Sequence, residues 1–303
     1  MRRFVLAAAT LLLASAAGAE SLRVGVWYPA NSDQAAALRS IQVEPFGGDA
    51  GDDLTVQVED VLRGIDLGQG PYFQVIPAAT GSGGEALLRG TADTEQRFAD
   101  YTEEHERCVK DGDGKCTSAK KKFTVKCTRR TVELVVALRL IGQDGTLLWS
   151  DNRPETYQDS FCEDAESSPR ARKSIGRELA GKVAARLRRD FAPLYANDSI
   201  RVDENRKGLN KTEAAVFKQA VRSVKDGDAA AACSAWAGLD QGHAPTVYNL
   251  GLCAESTGED AIAARQYART LSLDPRHAMA RRGLDRIADR TRAHRQLEAH
   301  AAE

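Results

Sequence analysis

Cysteine-led zinc spacings are missing from this chain. None of its six cysteines is followed by a cysteine or histidine at C-x-x-C or C-x-x-H spacing, so the usual mark of a structural zinc site is absent. Histidine is scarce: five in 303 residues, His105, His243, His277, His294 and His300. A nucleophilic cysteine would have few partners. Net charge is nearly absent, with 42 Lys and Arg against 43 Asp and Glu; nothing supports a dedicated nucleic-acid binder. Beyond the first residues no segment is apolar enough to span a bilayer, so no transmembrane segment is expected in the mature chain.

What is present begins with an export signal. Arg2 and Arg3 make a positive start, Phe4 to Leu13 is apolar but short, and Ala17-Gly18-Ala19 is a small-residue cleavage site. Residues 1–19 are expected to be removed, leaving 284 of the 303 and shifting the formal charge from −1 to −3 as Arg2 and Arg3 go. No cysteine follows the cleavage site, so no lipid anchor is expected there, and Arg2-Arg3 lacks a fuller twin-arginine context. The expected destination is the periplasm or the exterior, by Sec-type export. All six cysteines, Cys108, Cys116, Cys127, Cys162, Cys233 and Cys253, lie in the mature part. An even number in an oxidising compartment predicts disulfides.

Residues 20–195 read as an α/β domain. Leu22, Val24 and Val26 alternate as in a strand. Ile41 to Val43 is a second strand, running into Pro45-Phe46-Gly47-Gly48. Asp52 and Asp53 offer an N-cap, and Leu54, Val58, Val61, Leu62 and Ile65 share a helical face. Phe73 to Ile76 is another short strand. Val132 to Leu140 alternates, Gly142 to Gly145 is a turn, and Thr146 to Trp149 resumes a strand, which predicts a hairpin. Ile175, Leu179, Val183, Leu187 and Phe191 then stripe a long helix. Its other faces carry Arg170, Arg172, Lys173, Arg177, Lys182, Arg186, Arg188 and Arg189, read as a solvated surface. Residues 196–211 are polar and mark a linker.

From 212 to 303 the chain is helical and self-similar. Gly227, Ala232 and Trp236 recur 31 residues on as Gly258, Ala263 and Tyr267, the mark of a helical-hairpin repeat. Tyr248-Asn249-Leu250-Gly251, Gly258, Ala263, Tyr267, Leu271 and Asp274-Pro275 resemble one complete tetratricopeptide repeat. An earlier unit is degenerate, and a helix carrying Arg281, Arg282, Arg286, Arg290, Arg292 and Arg295 follows as a solvating cap. The resemblance implies stacked helices with a concave, peptide-binding groove, to which Phe217, Arg222 and Asn249, with Cys253 or their neighbours, would contribute. It also places Cys233 and Cys253 on adjacent helices, close enough to bridge.

The order of elements between residues 22 and 192 is similar to the α/β domain of envelope proteins such as the curli-secretion lipoprotein, the lipoprotein activators of penicillin-binding proteins and the amino-terminal domain of the Tol-Pal β-propeller protein. That likeness implies an assembly or regulatory module rather than a catalyst. Two departures are the missing lipid-bearing cysteine and a cysteine-rich insert between Cys108 and Cys127.

Motifs for chemistry are few. Ser118-Ala119-Lys120-Lys121 matches S-x-x-K but has no S-D-N or K-T-G companion. Asp111-Gly112-Asp113-Gly114 echoes a calcium loop, yet Val109 and Lys120 stand where acids are required; a tight turn is expected. Gly81-Ser82-Gly83-Gly84-Glu85-Ala86 leaves no room for a dinucleotide-binding helix before the next strand. Between Arg107 and Arg130 nine basic residues face only Asp111 and Asp113. A solvated hairpin is expected, with anionic envelope polymers or lipid head groups as the alternative contact.

The class expected is α+β: an N-terminal α/β domain with a mixed sheet and an antiparallel hairpin, then an all-α repeat domain. No catalytic residue, cofactor or metal is assigned. The function expected is a non-enzymatic envelope scaffold or adaptor that binds a protein or peptide through the repeat groove. The alternative is an envelope hydrolase acting on a cell-wall polymer, with the repeats as a recruiting arm. If the 142–145 turn pairs Ile141 with Thr146, Cys127 faces Ser160, and a small register change brings Cys162 to it. Cys108–Cys116 and Cys127–Cys162 are then the expected bridges, with Cys108–Cys127 the rival.

Overall fold

The computed structural model describes residues 20–68, 70–77, 83–113, 115–165 and 168–302. The expected signal peptide, Gly81, Ser82 and Gly114 lie outside them. In chain order the elements are β1 (Ser21–Tyr28), α1 (Asp33–Ala36), β2 (Ser40–Val43), α2 (Gly51–Arg63), β3 (Gln74–Pro77), β4 (Ala86–Lys110), β5 (Cys116–Gly142) and β6 (Leu147–Asp151). Then follow β7 (Glu155–Cys162), α3 (Arg172–Phe191), β8 (Leu194–Arg201), α4 (Lys211–Lys225), α5 (Ala229–Ala237), α6 (Ala244–Ser256), α7 (Asp260–Leu273) and α8 (Ala278–Ala301). The class is α+β.

Two compact units emerge, and they divide the chain differently from the sequence reading. Residues 20–27 count with the helices of 195–291, and residues 292–302 count with the sheet of 28–194. The segment expected as a linker, 196–211, holds most of β8. The physical reason is burial: Leu22, Val24, Val26 and Val202 share a core with Phe217 and Trp236.

The sheet unit has the strand order β3-β2-β4-β5, with β6 and β7 both paired to β5. β2 runs parallel to β3 and β4; the other pairs are antiparallel. Alternation sets the core face: Val132, Leu134, Val136, Leu138 and Leu140 are all buried. Against them pack Leu54, Val58 and Leu62 of α2 and the four-residue stripe Ile175 to Phe191 of α3. Each fully buried aliphatic side chain contributes about 1.5–3 kcal/mol. α2 begins without the expected aspartate cap: its N-cap is Ala50, with no side-chain bond, and Asp52 and Asp53 lie in the first turn, where their charge suits the helix dipole. Gly48, at φ 94°, turns the chain so tightly that a Cβ would lie 2.2 Å from the Ala92 carbonyl oxygen.

The expectation that every basic residue of α3 meets water fails at Arg186. It is buried, bonds Asp151 at 2.7 Å and pairs with Glu155, and it also donates to the Arg153 carbonyl. Asp151 is itself fully buried and takes Arg153 as a second partner. A buried charge needs such saturation, because its desolvation is otherwise unpaid.

In the helical unit the 31-residue recurrence extends to the backbone. α4 and α6 end alike: Gly227 and Gly258 sit at φ 84° and 80°. Asp228 N–H donates to Ser223 C=O and Glu259 N–H to Ala254 C=O, at 2.8 and 2.9 Å. Each is a Schellman motif, in which glycine takes the left-handed position and the last carbonyls are satisfied. Ala232, Trp236, Ala263 and Tyr267 are all fully buried. The arginines of α8 do more than meet solvent: Arg286 bonds the buried Glu255 at 2.6 and 2.8 Å, and Arg290 is buried, paired with Asp260 and donating to the Gly25 carbonyl. Glu255 also accepts the Tyr267 hydroxyl. Burial pushes that phenol far above its ordinary range, and the Glu255 carboxylate adds to the shift.

Candidate functional site at the base of the ribbon

The cysteine-rich insert is the middle of a long antiparallel ribbon. β4 and β5 pair continuously from Ala86↔Gly142 to Cys108↔Lys120, then Lys110↔Cys116 after a bulge. Beyond the stretch where β7 covers β5, ending at Cys127↔Cys162, both faces are largely exposed. The Asp111 carboxylate accepts from the Asp113 and Lys115 amides at 3.1 and 2.8 Å, so the calcium echo is a turn. Ser118 and Lys121 are three apart on a strand and point to opposite faces, which disperses the S-x-x-K pattern. The basic side chains are partly matched across strands: Lys122 meets Glu104 and Lys120 meets Glu106. Arg130, expected in this solvated patch, is buried, bonded to Asp159 at 2.5 and 2.9 Å and donating to the Arg170 carbonyl.

Three disulfides are formed: Cys108–Cys116 at the ribbon tip, Cys127–Cys162 at its base and Cys233–Cys253 between α5 and α6. The register behind the second differs from the sequence reading. Ile141 pairs with Leu147, not Thr146, and after a bulge Leu140 pairs with Trp149. The two-residue change places Arg129, not Cys127, opposite Ser160 and sets Cys127 directly opposite Cys162, with Cα atoms 3.9 Å apart.

Around that bridge lies a cluster of side chains that could ligate a metal. A Glu103 carboxylate oxygen, a ring nitrogen of His105 and both sulfurs fall within 4.8 Å of one another. His105 Nδ1 lies 2.9 Å from an Asp164 oxygen, which Arg107 also bonds at 2.9 Å, and Nε2 lies 3.4 Å from Glu103. The hydrogen bond to Asp164, then that to Glu103, raises the imidazole above its ordinary pKa. Asp164 is held below the usual carboxylate range, chiefly by His105. Two clefts open beside the bridge. One of about 690 Å³ is lined by Asp100, Tyr101, Lys126, Cys127, Phe161 and Cys162 among others. The other, about 460 Å³, includes His105, Asp159, Phe161, Cys162, Asp164 and Arg170. The sequence reading missed this cluster.

The residues expected to line a repeat groove are not brought together as an open surface. Phe217 is fully buried against Trp236 and His243. Asn249 is fully buried and clamps one backbone position, accepting from Asp203 N–H at 2.8 Å and donating to Asp203 C=O at 2.9 Å. Cys253 is bridged, and only Arg222 is exposed. The cause is the stretch after β8, whose backbone occupies Asn249. No helix among the described residues is long and apolar enough to cross a membrane.

No family model matches the chain, and no curated protein matches it. Among solved structures it is similar to a PelC variant in dodecameric form from Paraburkholderia phytofirmans, at 18% identity and a TM-score of 0.25 over 54% of this chain and 97% of that one. A protein named as a lipoprotein from Caulobacter crescentus CB15 aligns at 14% identity and TM-score 0.23, over 52% and 89%. A homologue of the neuraminyllactose-binding hemagglutinin from Helicobacter pylori aligns at 10% and 0.28, over 54% and 85%. Likenesses of this degree fix neither family nor function.

Proposed function

We propose that the protein is an exported, non-enzymatic adaptor of a bacterial envelope, and that its partner protein docks on the β4–β5 ribbon. The observation that carries this reading is the ribbon itself: 25- and 27-residue strands, bridged to each other at the tip, with β5 bridged to β7 at the base, that present two largely uncovered faces beyond β7. Such a segment buries little and contributes little to the core, so its length is accounted for by what it displays. Phe98 and Val109 are exposed apolar residues on it, set among charges of both signs, the composition of a polar-rimmed contact surface. Three disulfides suit an oxidising compartment. The helical unit, read as tetratricopeptide-like repeats, serves this proposal as a support rather than as the binding groove. The hydrolase reading gains no comparable support. Asp159 and Asp164 border one cleft, but Arg130 and His105 hold both below the ordinary carboxylate range, whereas a general acid needs a raised one.

The test is site-specific photo-cross-linking in the producing cell. A cross-linker at Phe98 should trap a defined protein partner, and one at Arg222 should not. Replacing residues 107–121 by Asn-Gly closes the ribbon at the Glu106↔Lys122 pair and should weaken capture without unfolding the sheet. Capture at Arg222 alone, or cleavage of cell-wall polymer by the purified chain, would overturn the reading.

A further inference from the structure

The Cys127–Cys162 bridge sits inside a set of donors that a stapling disulfide does not need. We propose that it is a redox-gated metal site: once the bridge is reduced, the two cysteine thiolates, His105 and Glu103 bind one borderline-soft divalent cation, Zn2+ above all. The four donor groups already lie within 4.8 Å of one another. Two sulfurs, one imidazole and one carboxylate form a donor set suited to tetrahedral Zn2+. Breaking the sulfur–sulfur bond lets the sulfurs part to the roughly 3.7 Å that bonds of ~2.3 Å at tetrahedral angles require.

The second observation is the support behind His105. Its Nδ1 faces Asp164 at 2.9 Å, and Arg107 fixes the same carboxylate oxygen. A neutral imidazole donating Nδ1–H to Asp164 leaves the Nε2 lone pair directed toward Glu103. A carboxylate behind a histidine in this way sets the tautomer and the ring orientation of metal-ligating histidines. An ion pair alone would not place both sulfurs within 4.8 Å of a His105 ring nitrogen.

The gating step is a thiol–disulfide exchange with a dithiol reductant. Cys162 borders both clefts, whereas Cys127 is 2% exposed, so the reductant's thiolate attacks Cys162 Sγ. A mixed disulfide forms there and Cys127 leaves as the thiolate. The second thiol of the reductant then attacks its own sulfur in the mixed disulfide, releasing Cys162 and closing the reductant's disulfide. Two electrons pass to the protein. The cation displaces the thiol protons and any proton on Nε2 to solvent, so binding weakens as pH falls. The remaining four cysteines form no such cluster with His, Asp or Glu among the described residues.

The test uses the full mature chain, reduced, freed of reductant under anaerobic conditions and titrated with Co2+ as the spectroscopic probe, with far-UV circular dichroism recorded in parallel. The expected result is one equivalent bound, with thiolate-to-metal charge transfer and tetrahedral d–d absorption, and none in the oxidised chain. Cys127→Ser/Cys162→Ser should bind no equivalent. Asp164→Asn should bind 10–100-fold more weakly, the usual effect of losing such a support, and His105→Ala at least as weakly. Three results would overturn the proposal: no uptake by reduced chain that keeps its fold, affinity unchanged in His105→Ala, or unfolding on reduction that Co2+ does not reverse.

Discussion

The ring of Tyr267 fills the space that a side chain at Gly283 would need: a Cβ there would lie 2.5 Å from the ring, and one at Gly251 would lie 2.7 Å from it. α6 and α8 thus approach the same buried aromatic through two hydrogen-bearing positions. Gly251→Ala/Gly283→Ala should destabilise the protein by about 1–3 kcal/mol through overpacking, even though alanine gains up to ~1 kcal/mol per site in helix propensity. Urea denaturation followed by circular dichroism checks this; a double variant more stable than wild type would mean the ring can yield.

Asn249 and Arg222 separate a structural role from a recognition role. Asn249→Ala leaves the Asp203 amide and carbonyl without their partners and should cost about 1–3 kcal/mol. Arg222→Ala, at an exposed position, should stay within about 0.5 kcal/mol of wild type. Paired denaturation midpoints measure both.

Two histidines respond to pH with opposite sign. His105 is raised by Asp164 and Glu103, so the stability it contributes is present below about pH 6.5 and is lost as pH rises through its higher folded value. His243 is lowered by burial; the unfolded chain takes that proton first, so stability falls as pH drops below about 6.5 toward the lower folded value. In an NMR titration the His105 ring signals should move with a midpoint above 6.5 and shift down in Asp164→Asn, while those of His243 should titrate below 6.5.

The three bridges close loops of 8, 35 and 20 residues. Chain entropy ranks them at roughly 2.5, 3.8 and 3.3 kcal/mol. Cys108–Cys116 should fall short of its figure in global unfolding, because the ribbon tip around it is exposed and frays locally. Cys108→Ser/Cys116→Ser should therefore speed amide exchange near the tip while moving the denaturation midpoint less than Cys233→Ser/Cys253→Ser does.

The sequence revealed whichever elements have one wet face and one dry one. Val132 to Leu140 and Ile175 to Phe191 carry unmistakable periods, and their buried sides were legible. The ribbon between 97 and 126 carries none, because both faces meet water, so its length could not be read. The cluster at its base joins residues 103, 105, 127 and 162 through a register two residues from the one a Gly142–Gly145 turn implies: one residue is gained at the turn, where Ile141 meets Leu147, and one at a bulge at Leu140/Ile141 that has no mark in composition. Arg186, Arg286 and Arg290 were read as solvated because charge is the local signal for exposure; their partners Asp151, Glu255 and Asp260 are 35, 31 and 30 residues away. The tetratricopeptide resemblance puts Asn249 in a groove, whereas its amide answers a backbone.

The turn at the ribbon tip carries Lys110 and Lys115, and both stand between Cys108 and Cys116. A trypsin-like protease that cuts this exposed turn after Lys110 or Lys115 leaves two polypeptides that stay joined through sulfur. Proteolysed molecules then migrate as a single species on a denaturing gel until reductant is added, when the chain parts into its two fragments.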